Sequence, residues 1–124
     1  MEKHFATYNQ SLALKELGFD EPCFGLYAPP SKTVFLHHYG LLSAKEQILA
    51  PLKSQVFEWF REKYNLYHVI TIADLGKYET GNPDFQCAIY SKDPVVITNM
   101  DKYKTYEEAV LACIDKLIEL CHDK

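Results

Sequence analysis

The apolar positions of the chain change period from one segment to the next, and the changes mark its elements. The closing segment has the plainest pattern. Tyr106, Ala109, Val110, Cys113, Leu117, Leu120 and Cys121 fall on one face at about 100° per residue, which predicts an amphipathic helix. Thr105 followed by Glu108 has capping-box spacing, which sets the start of that helix. Glu107, Glu108, Asp115 and Glu119 fill much of its polar side. Leu111 and Ile118 lie off the main stripe, one heptad apart. Such a pair marks either a second contact surface or a helix covered on three sides.

A second helix is expected from Pro51 to about residue 64. Proline costs nothing in a first turn, and Leu52, Val56 and Phe60 form a stripe that Phe57 and Trp59 widen. A shorter helix is expected over 8–17, with Thr7 as cap and Gly18 as stop. Residues 23–27 and 33–39 are rich in β-branched and aromatic side chains, and Pro29-Pro30 between them predict a hairpin. Within the second of these strands, Thr33, Phe35, His37 and Tyr39 share a face opposite Val34, Leu36 and His38. Further strands are expected over 67–73, 86–91 and 94–98, while 40–50 fits neither period. The order is α-β-β-α-β-β(-β)-α. The expected fold class is α+β: one domain over 1–124, with three helices on one side of an antiparallel or mixed sheet of four to five strands.

Composition narrows this picture. The chain has 124 residues and is 48% hydrophobic, which suits a single globular core. Nine Tyr and seven Phe supply rings that bury a face and keep a hydroxyl wet, as in a half-covered sheet or an interface. The net charge is −4, no basic stripe is present, and Arg61 is the sole arginine, so nucleic acid is not the expected partner. No apolar run reaches the roughly 18 residues that span a bilayer. The opening MEKHFATYNQ lacks an apolar signal core. A cytoplasmic setting is expected, with Cys23, Cys87, Cys113 and Cys121 reduced and acting as small hydrophobes.

Three blocks together resemble a family. They are LKELGFDEPCFGLY (14–27), ILAPLKSQVFEWFREKYNLY (48–67) and YKTYEEAVLACIDKLIEL (103–120). They are similar to a widespread group of small uncharacterised proteins of phages, mobile elements and their bacterial hosts. That group often has S-A-P-T before the second helix, where this chain has Leu49-Ala50-Pro51-Leu52 and so loses the cap. The resemblance implies a mobile-element origin and assigns no activity or site residue.

Candidate chemistry is sparse. His37 and His38 are adjacent on a strand and point to opposite faces. Cys113, Cys121 and His122 lack a Cys-x-x-Cys knuckle, so no metal is expected. Cys23 and Cys87 have no evident feature that lowers a thiol pKa. No glycine-rich phosphate loop is present, and no cofactor is expected.

Three functions follow as expectations. The first is a non-enzymatic accessory or interaction domain using Leu111 and Ile118, as a homodimer or with a host or phage protein. The second is a ligand-binding or enzymatic domain whose cleft on the sheet is lined by His37, Tyr39, His68 and Tyr90. The third is an acidic inhibitor of a nucleic-acid enzyme.

Overall fold

The computed structural model describes residues 2–27, 32–36, 48–72, 84–91 and 96–122. After a short 3₁₀ turn at Glu2–His4 the elements run α1 (Tyr8–Glu16), β1 (Gly25–Tyr27), β2 (Val34–Leu36), β3 (Ile48–Ala50), α2 (Lys53–Tyr64), β4 (Leu66–Ile72), β5 (Phe85–Ser91), β6 (Val96–Tyr103) and α3 (Tyr106–His122). The class is α+β. The described strands form two three-stranded antiparallel sheets, β2-β1-β3 and β4-β5-β6, rather than one larger sheet. The division comes from β3, the end of the segment that fitted neither period. It pairs with β1 on the side away from β2 and completes a small sheet of its own.

Local chemistry sets the helix ends. Gln10 N donates to Thr7 Oγ1 and Thr7 N donates to Gln10 Oε1, each at 3.1 Å, so α1 opens on a full capping box. Gly18 follows α1 with φ +96°, a left-handed conformation that glycine adopts without a Cβ clash. Pro51 lies outside α2 rather than in its first turn: Leu52 is the N-cap, and the Pro51 carbonyl accepts from Ala6 N at 2.8 Å. Asn65 closes α2 with φ 56°, its N–H donating to Arg61 O. In α3, Glu108 N donates to Thr105 Oγ1 at 3.1 Å.

The main core lies between the β4-β5-β6 sheet and the helices α2 and α3, centred on Val56, Phe60, Ile89, Ile114 and Leu117. Ile114, at the edge of the expected stripe, is fully buried, and Ile118, which lies off it, is half-buried against the same core. The apolar arc of α3 is therefore wider than the sequence stripe, because both α1 and α2 pack beside it. A second cluster of Phe5, Tyr27, Ile48 and Ala50 lies on the small sheet. Gln10 joins α1 to α3, its Nε2 donating to Leu111 O at 3.0 Å and to Asp115 Oδ1 at 2.9 Å. The cysteine expectation is corrected at one pair: Cys87 of β5 and Cys113 of α3 form a disulfide, and Cys23 and Cys121 lie outside it. Both partners are fully buried where α3 lies on β5.

Candidate functional site

Of the four residues expected to line one cleft, the two that the structure describes face opposite sides of the sheet. His37 and Tyr39 lie outside the described residues. His68 and Tyr90 are on paired strands, but Tyr90 is opposite Tyr67, and His68 is opposite Ile89. Directly opposed residues share a sheet face and neighbours along a strand do not. His68 therefore turns with buried Ile89 toward the helices. Tyr90, 37% exposed, turns outward with Tyr67, 43% exposed.

His68 nevertheless sits in a cleft of about 540 Å³ on the helix side of the sheet, a size that suits a small ligand. Four parts of the chain build it. β4 supplies His68, and α2 supplies Lys53, Ser54, Phe57 and Arg61. The N-terminal turn supplies Lys3 and His4. That turn is held in place by a bridge from Phe5 to Leu52 and by the bond from Ala6 to Pro51. Tyr106 and Glu107, from the first turn of α3, border the cleft.

The Phe57 and His68 rings stack at 3.6 Å between centroids and 9° between planes. Burial, and then the Arg61 guanidinium, hold the His68 pKa below its ordinary 6.5, so the imidazole is neutral near pH 7. Its Nδ1 is buried and has no hydrogen-bond partner among the described residues. Burial also lowers the Lys53 ammonium; Glu107 opposes this shift, and Lys3 adds to it. Among the described residues no carboxylate forms a salt bridge with Lys3, Lys53 or Arg61. Leu52 offers no side-chain cap, so the first N–H groups of α2 add their partial positive charge to the same cleft.

Like charges held together in a part-buried site cost free energy, and a bound anion would offset that cost. The signal missed in the sequence was diffuse: Lys3, His4, Lys53 and Arg61 form no motif. Arg61 as the sole arginine was the one compositional clue, and it was read as weighing against nucleic acid.

The other candidates carry less chemistry. Burial, followed by the nearby Glu21 carboxylate, pushes the Cys23 thiol up to about 12, so it offers no thiolate near neutral pH. Among the described residues no three His, Cys, Asp or Glu side chains gather as a metal set. None of the described helices is long and apolar enough to cross a membrane. The Leu111 side chain is half-buried and lines a second cavity beside α1.

No family model, curated protein or solved structure matches this chain.

Proposed function

We propose that this protein is a binding domain for a small anionic ligand, held in the cleft around His68. The observation that carries the reading is Lys3, Lys53 and Arg61, brought to one cleft with no salt bridge to a carboxylate among the described residues, in a protein of net charge −4. Arg61 provides a planar fork suited to phosphate or carboxylate. Lys3 and Lys53 add compact charges, and the first N–H groups of α2 add donors. This is the ligand-binding expectation with a different set of residues: His68 is kept, Tyr90 is replaced by the cations, and His37 and Tyr39 lie outside the described residues. The interaction-domain expectation has less support, because Ile118 packs against the core and the Leu111 carbonyl is engaged by Gln10. A phage or mobile-element setting is proposed on the sequence blocks alone and does not bear on the ligand.

Titration of the full chain with inorganic phosphate and pyrophosphate, followed by the His68 imidazole resonances and by calorimetry, tests this reading. Saturable pyrophosphate binding that Arg61→Ala weakens about tenfold, as expected for a lost charge-assisted bond, would support it. Imidazole resonances unmoved by millimolar pyrophosphate at low salt would refute it.

A further inference from the structure

The cleft around His68 has a neighbour. A second cavity of about 360 Å³ is lined by Phe5, Tyr8, Tyr27 and Leu111, with Lys32 above the Tyr8 ring at 5.7 Å. Both cavities share Lys3, Lys53 and Glu107 on their walls. The sequence of surfaces is therefore cationic, then a junction with one carboxylate, then aromatic. Tyr27 donates to Ala6 O at 2.7 Å and meets Tyr8 edge-on at 5.4 Å, so the aromatic wall is fixed in place.

Each zone selects a different chemical group. The cationic zone takes phosphate. The aromatic zone takes a flat ring, since a ring face packs on Tyr and tolerates a lysine nearby. The junction is the most selective part. Glu107 repels a second anionic group but accepts hydrogen bonds from hydroxyls. A plain polyphosphate would place charge against it, and an alkyl phosphate would offer it no donor.

We infer that the anionic ligand is a nucleoside phosphate, with its phosphates beside Arg61 and Lys53, its sugar hydroxyls facing Glu107 and its base in the cavity of Tyr8 and Tyr27. This rests on the anion-binding reading above and adds the chemical class of the ligand.

Calorimetry on the full chain at low salt compares pyrophosphate, ADP and 2′,3′-dideoxy-ADP. ADP is expected to bind about tenfold tighter than pyrophosphate, the gain typical of one base packed on an aromatic wall. Glu107→Gln alters an exposed residue and is expected to weaken ADP several-fold, to leave pyrophosphate equal or tighter, and to leave the dideoxy compound unchanged. Lys32→Ala, also at an exposed position, is expected to change ADP binding and not pyrophosphate binding. If ADP and pyrophosphate bind equally and Glu107→Gln affects neither, the nucleoside assignment is overturned while anion binding stands. If neither ligand binds, both readings fall together.

Discussion

Phe57 and His68 lie face to face, 3.6 Å between ring centroids, and so join the second helix to the edge strand of the larger sheet. The stack sets an imidazole against an apolar ring, in the same cleft as the Arg61 guanidinium. Burial and Arg61 both disfavour its proton. The folded state thus has a lower His68 pKa than the unfolded state, whose reference value is 6.5. Between the two values the unfolded chain binds more protons, so this contribution is complete above 6.5 and declines as pH falls through the folded value. Chemical denaturation of the ligand-free protein is expected to show stability dropping below about pH 6. In His68→Gln that part of the pH dependence should disappear.

A bound anion reverses this sign. Negative charge beside His68 favours the imidazolium, so binding should take up protons near pH 6 and affinity should rise as pH falls. Calorimetry of pyrophosphate binding in two buffers of different ionisation enthalpy measures the uptake directly. Zero proton uptake at pH 6 would separate His68 from the ligand.

Arg61 gives a third prediction, in which stability and binding part company. It has no ion-pair partner among the described residues, and after burial it is the second cause that disfavours the His68 proton. Its removal therefore breaks no favourable pair. Arg61→Ala is expected to leave the unfolding free energy within about 0.5 kcal/mol of the parent. The same variant should raise the His68 pKa, as read by NMR, and weaken pyrophosphate about tenfold. A large loss of stability would mean that Arg61 serves the fold rather than a ligand.

Much of the fold was legible because its signals are local. Thr7 with Gln10, Gly18, and Thr105 with Glu108 each act within one turn of chain, and each marks a helix end in the structure. The site was less legible because it depends on register. Alternation along a strand shows that Tyr67 and His68 face opposite ways. It does not show that Tyr90 pairs with Tyr67 rather than with His68, and a shift of one residue would have reversed the result. Lys3 is harder still to place. It reaches Lys53 through backbone bonds from Phe5 and Ala6 to Leu52 and Pro51, which leave no side-chain pattern to read. The three-residue strand β3 is too short for a period of two to show.

The α1–α3 contact predicts opposite outcomes at adjacent positions. Gln10 is buried and makes four hydrogen bonds, two in the capping box and two to α3. Gln10→Ala would remove both bonds to α3 along with half of the box, at an expected cost of about 2–3 kcal/mol. Ser11 is equally buried, and its hydroxyl has no hydrogen-bond partner among the described residues. Ser11→Ala removes a desolvated hydroxyl and adds helix propensity, so a gain of about 1 kcal/mol is expected. Urea denaturation of the two variants side by side checks the pair. Destabilisation by Ser11→Ala would show that the hydroxyl is satisfied after all.

The last prediction concerns Cys87 and Cys113, which join the central strand of the larger sheet to α3. The bond closes a loop with a sequence separation of 26 residues. On chain-entropy grounds a loop of that size stabilises by about 3 kcal/mol, chiefly by restricting the unfolded chain. The double variant Cys87→Ala, Cys113→Ala keeps small apolar groups in the core and removes the link. Its melting temperature is expected to fall well below that of the oxidised parent, by more than the loss of two sulfur atoms from the core would cause. Thiol counting in denaturant without reductant decides the premise: two reactive thiols, Cys23 and Cys121, are expected, and four would mean the pair is open. The comparison also bears on the setting in which the protein works, since a reducing compartment would hold the pair as two thiols. In that case the parent under strong reductant and the double variant should melt within a few degrees of each other, and the oxidised parent should stand above both.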